Sequence, residues 1–161
     1  MATRALDILL SGLALLCLLP LLLAIAGVLR CSGEGEVLYE QARVGLGGRL
    51  FGLQKFATML NDSPNLGSGL LTLQNDPRVL PIGRFLRKTK LNELPQLYNV
   101  LRGDMSLIGP RPQASAHFEV FPAHVKAELV KVRPGLSGIG SIVFRDEETL
   151  LSAPGRDPER Y

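Results

Sequence analysis

Cysteines and aromatic residues are both scarce in this 161-residue chain, which has two cysteines and 6% aromatic residues. Cys17 lies inside an apolar run and Cys31 just beyond it, so a helix would place them at different levels. This spacing excludes a disulfide framework and a cysteine-based metal site, and it predicts two inert thiols in a reducing compartment. Few aromatic residues, with no recognised nucleic-acid motif, also argue against nucleic acid as a partner.

A strong charge of one sign is missing too, because 18 lysines and arginines against 15 aspartates and glutamates give a net charge of +3. Basic residues nevertheless cluster in one short region. They are Arg78, Arg84, Arg87, Lys88 and Lys90. Such a cluster predicts anionic partners. For Arg84 and Lys88, a solvated surface or one facing lipid headgroups is the alternative.

Charge is absent altogether from Ile8 to Leu29. A helix needs roughly 20 apolar residues to cross a bilayer core, so this run predicts a membrane helix. A cleavable signal peptide is the alternative, but the run is long and the sequence around Cys31 is not an Ala-x-Ala cleavage site.

Pro20, near the middle of the apolar run, predicts a kink or a break in the helix. Arg4 and Arg30 flank the two ends with positive charge. Together these features favour a re-entrant helix, with both ends on the cytoplasmic face, over a spanning helix. Asp7, one turn after Arg4, is expected to pair with it at the membrane boundary.

The remainder of the chain predicts short elements. Residues 33–56 alternate in character and predict short strands joined by turns at Gly45 and Gly47-Gly48. Ile82 to Lys88 predicts a short basic helix, and Ile139 to Phe144 a further strand. The expected fold class is therefore α+β, mostly helical, with little sheet.

A longer helical pattern follows Lys90. Its apolar residues recur at helical spacing and predict one buried face: Leu91, Leu94, Leu97, Tyr98 and Leu101. With Asn92 as the N-cap, Glu93 would stand in the first turn, at the positive end of the helix dipole. A phosphate or a metal-phosphate complex could approach the free backbone N–H groups there.

The stretch from Lys90 to Pro112 ends in a rigid Gly-Pro-Arg-Pro turn. Within it, Glu93 offers a carboxylate for a divalent cation, and Arg111 offers a planar fork that matches phosphate oxygens. Phosphoryl transfer depends mainly on charge neutralisation and placement. The pairing therefore indicates metal-assisted chemistry on a phosphate.

Three further motifs accompany this stretch: Gln41-Ala-Arg-Val-Gly45, Lys55-Phe-Ala-Thr-Met59 and Arg133-Pro-Gly-Leu-Ser-Gly138. Together they resemble the bacterial sugar transferases, which are monotopic phosphoglycosyl transferases. The resemblance implies transfer of a sugar phosphate from a nucleotide diphosphate sugar to polyprenyl phosphate, which initiates a lipid-linked glycan such as an exopolysaccharide. It implies a location at the cytoplasmic face of the bacterial inner membrane.

The resemblance also implies a domain division, with a membrane-embedded re-entrant helix at 1–31 and a cytoplasmic transferase domain at 32–161. Members of the family generally continue past the acidic segment near residue 148, which implies a naturally short or truncated C-terminus. Membrane lipid is an implied partner, and whether the chain forms a homo-oligomer stays open.

The resemblance also implies site residues, which are assigned by matching the positions of the family's motifs to this sequence. In the resembled family an aspartate attacks the pyrophosphate and the neighbouring glutamate helps to bind Mg²⁺. The position of the aspartate falls to Asn92 and the metal role to Glu93. Contacts with substrate phosphates fall to Lys55, Arg78, Arg87 and Arg111.

An amide is a far poorer nucleophile than a carboxylate, so Asn92 leaves several mechanisms open. Another carboxylate could attack, namely Glu93, Asp104 or one of residues 146–148. The acceptor phosphate could attack directly. Alternatively the site is inactive, natural or substituted, and the chain is a catalytically impaired membrane adaptor of the same fold. Hydrolysis of the same phosphates is a third class of function.

Overall fold

Among the residues that the structure describes, short helices and two small sheets accompany one long N-terminal helix. The computed structural model describes residues 2–32, 34–65, 72 and 76–138. Its helices are α1 (Ala2–Arg30), α2 (Pro81–Lys88), α3 (Gln96–Arg102), α4 (Ser115–Val120) and α5 (Ala123–Leu129). Its strands are β1 (Leu38–Val44), β2 (Leu50–Phe56), β3 (Ser106–Ile108) and β4 (Gly135–Ser137). The prediction of a mostly helical α+β fold is confirmed, while the strand predicted at 139–144 and the acidic residues 146–148 lie outside the described residues.

Helix α1 is a single helix of 29 residues that contains Pro20 in its interior. A break at Pro20 is not found, because a proline removes one intrahelical N–H bond while the neighbouring turns keep theirs, and the alternative of a kink there stays a prediction. By length and composition, Thr3–Arg30 is apolar enough to cross a membrane. Both cysteines, Cys17 and Cys31, are free, as the sequence predicts.

One stripe of α1 packs against the rest of the protein. Its buried residues are Asp7, Ser11, Ile25 and Leu29. Ile25 and Leu29 form a hydrophobic core with Phe56 of β2 and Leu86 of α2. The opposite face carries leucines at every seventh position, Leu9, Leu16 and Leu23, which are about two thirds exposed. Helix α1 therefore contacts the domain on one side and presents a continuous apolar surface on the other.

The N-terminal end of α1 is fastened to the domain by two charged side chains. Arg4 donates from Nη1 to Val100 O at 2.5 Å and from Nη2 to Leu101 O at 2.7 Å, near the C-terminal end of α3. Asp7 Oδ2 accepts from Ser106 Oγ at 2.8 Å, and Oδ1 accepts from the backbone N–H of Leu107 at 3.1 Å.

The predicted pairing of Arg4 with Asp7 is therefore wrong. Carbonyl groups in the last turn of α3 lie at the negative end of the helix dipole and attract a cation, which gives Arg4 a better site. A buried carboxylate needs hydrogen-bond donors, and β3 supplies two to Asp7.

Strands β1 and β2 form an antiparallel hairpin, with Leu38 opposite Phe56 and Val44 opposite Leu50. The turn between them passes through Gly47 and Gly48, whose φ angles of 67° and 75° are left-handed and favour glycine. This confirms the prediction of short strands joined by glycine turns.

Register decides what each face of the hairpin carries. Lys55 lies opposite Tyr39, so Tyr39, Gln41 and Arg43 of β1 share a face with Lys55. Leu53 is on this face as well, and it packs against Val100 and Met105 in the second hydrophobic core. The face that carries Gln41, Arg43 and Lys55 is consequently the face turned toward α3.

The start of α3 differs from the prediction. Leu91–Glu93 is a 3₁₀ turn, and α3 begins at Gln96 with Pro95 as the residue before it, so Asn92 is not the N-cap. Because the leucine pattern extends over two elements of different period, Tyr98 is 51% exposed and does not join the predicted buried face.

Candidate active site

A lysine and a glutamate from different elements lie side by side at the end of β2. Lys55 Nζ is 3.9 Å from Glu93 Oε1, and the two side chains are 20% and 26% exposed. Lys55 is the next-to-last residue of β2, and Glu93 ends the 3₁₀ turn before α3. The pair therefore joins the hairpin to the segment that leads into α3.

Asn99 joins α3 to strand β2 of the hairpin through side-chain hydrogen bonds. Its Nδ2 donates to Gly52 O at 2.8 Å, and its Oδ1 accepts from the backbone N–H of Gln54 at 2.9 Å. The side chain is fully buried. The role of Asn99 was not predicted, because nothing in the sequence around a single helical asparagine indicates a partner 45 residues away.

Three arginines from three further elements act on Lys55: Arg43 of β1, Arg87 of α2 and Arg111 of the turn after β3. Burial is the largest cause that lowers the pKa of Lys55, to about 8. The positive charges of Arg43, Arg111 and Arg87 lower this pKa further, whereas Glu93 raises it. Four cations beside one carboxylate suit a ligand with several negative charges, such as a diphosphate.

The structure thus brings together four of the six predicted site residues, namely Lys55, Arg87, Glu93 and Arg111. Their predicted roles with metal and phosphate stay predictions. Arg43 joins the same group although the sequence analysis assigned it no role. Strand alternation could have indicated it, since an antiparallel hairpin of this register places positions 43 and 55 on one face.

Arg78 is placed differently. Its guanidinium is 5% exposed and forms a bidentate ion pair with Asp76, with Nη2 to Oδ2 at 2.6 Å and Nε to Oδ1 at 2.9 Å. Nη1 also donates to Ser63 O at 2.6 Å. Arg78 is not among the cations that act on Lys55. These contacts give Arg78 a structural function in the loop, and its phosphate role stays a prediction.

Asn92 lies directly before Glu93 and is 6% exposed. Within the part of the chain that the structure describes, its buried Oδ1 has no hydrogen-bond partner. A buried amide oxygen without a donor is unfavourable by roughly 1–3 kcal/mol, which a ligand bound at this position could offset.

The Gly-Pro-Arg-Pro turn is held against the last described strand. Gly109 donates its N–H to Ser137 O at 3.0 Å, and Gly135 donates its N–H to Pro110 O at 2.8 Å. A Cβ atom on Gly109 would stand 2.6 Å from Arg133 O. Two of the motifs noted in the sequence, the turn at 109–112 and the segment 133–138, therefore meet through glycines because only glycine fits their close approach.

Among the alternative nucleophiles, Asp104 contacts Arg102 and Asn99. Its Oδ2 is 2.8 Å from Arg102 Nε and 3.2 Å from Asn99 Nδ2. It follows the C-terminal end of α3, whereas Glu93 precedes the helix. Residues 146–148 lie outside the described residues. Of the carboxylates in the described part, Glu93 is the one that acts on Lys55.

The donor set fits a magnesium ion that is carried by its substrate. Among the described residues there is no cluster of three histidine, cysteine, aspartate or glutamate side chains. Mg²⁺ does not require one, since it is commonly held by one or two carboxylates together with substrate phosphates. Glu93 supplies a carboxylate, and the unpartnered Oδ1 of Asn92 is an oxygen ligand of the kind that Mg²⁺ accepts.

A family model described as "bacterial sugar transferase" matches residues 1–154. The chain belongs to the bacterial sugar transferase family. This match covers α1, the hairpin and the Lys55–Glu93 pair together, so the resemblance noted in the sequence is confirmed.

Several curated relatives of the family are similar along most of this chain. A UDP-glucose:undecaprenyl-phosphate glucose-1-phosphate transferase of Caulobacter vibrioides is 41% identical over 143 residues, which cover 86% of this chain and 52% of the relative. The protein of the same name from Escherichia coli is 42% identical over 141 residues, covering 86% and 30%. The exopolysaccharide production protein ExoY of Rhizobium meliloti is 37% identical over 173 residues, covering 99% and 76%.

The chain therefore spans about half or less of the two glucose-1-phosphate transferases and about three quarters of ExoY.

Proposed function

We propose that this chain is a phosphoglycosyl transferase, which moves a sugar phosphate from a nucleotide diphosphate sugar to polyprenyl phosphate. The observation that carries this proposal is the Lys55–Glu93 pair, on whose lysine the charges of Arg43, Arg87 and Arg111 also act. A diphosphate bridges two groups and carries several negative charges, so a site with four cations matches it better than it matches a neutral sugar. The names of the relatives support undecaprenyl phosphate as acceptor and UDP-glucose as the first donor to assay.

In this mechanism the chain's own residues bind and neutralise the diphosphate. Lys55, Arg87 and Arg111 hold its oxygens, and they stabilise charge that develops on the leaving nucleoside monophosphate. Glu93 and Asn92 would hold Mg²⁺, which supplies further neutralisation of the diphosphate when bound.

Asn92 cannot provide a carboxylate nucleophile, so we propose two routes. In direct transfer, an oxygen of polyprenyl phosphate attacks the sugar-bearing phosphorus. The bond from that phosphorus to the nucleoside monophosphate breaks, and the leaving phosphate keeps the electron pair. In the other route a carboxylate, Glu93 or one of residues 146–148, first attacks the sugar-bearing phosphorus, and the nucleoside monophosphate leaves with the electron pair of the bond that breaks. An oxygen of the acceptor phosphate then attacks the same phosphorus and displaces the carboxylate.

We further propose that α1 is re-entrant at the cytoplasmic face of the bacterial inner membrane, with residues 1–31 in the membrane and 32–161 as the transferase domain. Both ends of α1 contact the same domain, through Arg4 and Asp7 at one end and Ile25 and Leu29 at the other. A spanning helix would need its two ends on opposite sides of the bilayer. The exposed leucine face supports contact with lipid along the helix.

Radiolabelled transfer in detergent tests the activity. With UDP-[¹⁴C]glucose, undecaprenyl phosphate and Mg²⁺, wild-type chain should form lipid-linked product. Glu93→Gln should lower the rate by about 10²-fold or more, because it removes a charge from the reacting centre. Glu36→Gln removes the same charge from an exposed glutamate before β1, so it is the matched control and should leave the rate unchanged.

The second candidate function is the impaired membrane adaptor, which the buried amide at position 92 favours. Product from Asn92→Asp with none from the wild-type chain would support the adaptor and contradict the transferase proposal. Asn61→Asp, on an exposed turn, is the matched control for an added carboxylate. Release of free sugar phosphate without lipid-linked product would indicate a hydrolase.

A further inference from the structure

The guanidinium of Arg43 joins strand β1 to the turn that carries Arg111. Nη1 donates to Pro112 O at 3.2 Å, and Nη2 donates to Gln41 Oε1 at 2.5 Å. The following residue, Val44, donates its N–H to Gln113 O at 2.9 Å. Two successive residues of β1 therefore bond to the two residues that come directly after Arg111.

This arrangement depends on the shape of the arginine side chain. A planar fork can donate to two acceptors in different directions, whereas a lysine ammonium on a flexible stem does not hold such a geometry. Gln41 and Arg43 are neighbours on one face of β1, so the glutamine oxygen can orient the guanidinium without bending the strand.

The turn needs support on this side. On its other side, backbone bonds to β4 hold Gly109 and Pro110. The Arg111 side chain itself lies in an exposed part of the turn, and Pro112 is buried beside it. The hydrogen bond from Arg43 to Pro112 O therefore holds the residue that directly follows Arg111.

We propose that Arg43 is a positioning residue of the diphosphate site, which holds the turn at 110–113 against β1 so that Arg111 stays beside Lys55. Gln41 orients Arg43 in this role. The inference deepens the proposed function and rests on it for the identity of the ligand. It predicts that Arg43 acts on the ligand through Arg111.

Calorimetric titration of the full chain in detergent with UDP-glucose and Mg²⁺ tests this coupling. Arg43→Gln should weaken binding by about tenfold or more, and Arg43→Lys nearly as much, because keeping the charge does not restore the fork. Arg49→Gln changes an exposed arginine at the other end of the same hairpin and should stay within about twofold of wild type.

The decisive comparison uses Arg111→Gln as a second background. If Arg43 positions Arg111, the loss caused by Arg43→Gln should fall to less than about threefold once Arg111 is absent. Equal losses in both backgrounds would overturn the proposal, because they would show that Arg43 acts independently of Arg111.

Amide hydrogen exchange provides a readout that needs no ligand. In Arg43→Gln and in Gln41→Ala, exchange of the Val44 amide should accelerate by about tenfold or more, while amides in the middle of the hairpin keep their rates. Unchanged exchange at Val44 would overturn the proposal. If the wild-type chain binds no nucleotide diphosphate sugar, UDP-glucose or another, the proposed function fails, and the exchange data still decide whether Arg43 holds the turn.

Discussion

Lys55 shows how single side chains define this site, since its ammonium is surrounded by more positive than negative charge. Its pKa is lowered to about 8 by burial first and then by Arg43, Arg111 and Arg87, against the opposing effect of Glu93. Holding a charged lysine in such surroundings destabilises the protein without ligand. This loss of stability is consistent with a binding site, because a bound anion would offset the repulsion among the positive charges.

The stability of the ligand-free protein should depend on this lysine at alkaline pH. The folded state releases the Lys55 proton near pH 8, whereas the unfolded chain keeps it until about 10.5. Between these values the unfolded state binds more protons, so the free energy of unfolding should rise by about 1 kcal/mol per pH unit relative to Lys55→Met.

Chemical denaturation at pH 7, 8, 9 and 10 measures this difference. Lys88→Met, which changes an exposed lysine of α2, should keep the wild-type pH dependence. Parallel pH curves for wild type and Lys55→Met would show that burial and the neighbouring arginines do not lower the pKa of Lys55.

At the scale of elements, the contact between α1 and β3 connects the long apolar helix with the turn that bears Arg111. Asp7 is 6% exposed and accepts hydrogen bonds from Ser106 and Leu107, which belong to the strand just before Gly109. Ser11 is also buried and donates to Asp7 O at 2.5 Å. These polar groups are placed in an otherwise apolar helix because the partner strand offers donors there.

Removing this carboxylate should destabilise the fold. Asp7→Ala leaves the partly buried N–H of Leu107 and the hydroxyl of Ser106 without their acceptor, so we expect a loss of about 2–3 kcal/mol in the free energy of unfolding. Glu36→Ala, at an exposed glutamate, should change it by less than about 0.5 kcal/mol. Urea unfolding in detergent compares the two, and a similar small effect for both variants would show that the Asp7 contacts are not needed for stability.

At the scale of the whole molecule, the two ends of α1 meet one domain, and this arrangement supports a re-entrant topology. Cys31 is exposed just after the helix, and Thr3 is exposed at its beginning. In Cys17→Ser, native Cys31 reports the C-terminal end, and Thr3→Cys combined with Cys17→Ser and Cys31→Ser reports the N-terminal end. A membrane-impermeant maleimide should label both in inverted membrane vesicles and neither in intact spheroplasts.

Labelling of the Thr3→Cys variant from outside the spheroplasts, with Cys31 labelled only in inverted vesicles, would show a spanning helix. A cysteine introduced at Ser115, an exposed residue of α4 in the domain, serves as the control for cytoplasmic accessibility.

The amino-acid sequence by itself determined the features that depend on neighbouring residues. The uncharged run from Ile8 to Leu29 determined the long apolar helix, and glycines at 47 and 48 determined the turn of the hairpin. The stretch from Lys90 to Pro112, with its companion motifs, was sufficient to indicate the family. These are local signals, because helix length, turn geometry and motif spacing are properties of contiguous residues.

Only the tertiary structure decided which charged groups meet. Arg4 and Asp7, three residues apart, bind separate partners 96 to 100 residues away, and Arg78 pairs with Asp76. Arg43 reaches the turn at Pro112 through the strand register and not through any nearby residue. A long charged side chain could pair with any of several polar or oppositely charged groups elsewhere in the chain. Burial and packing between elements select the partner, and no local sequence pattern encodes that packing.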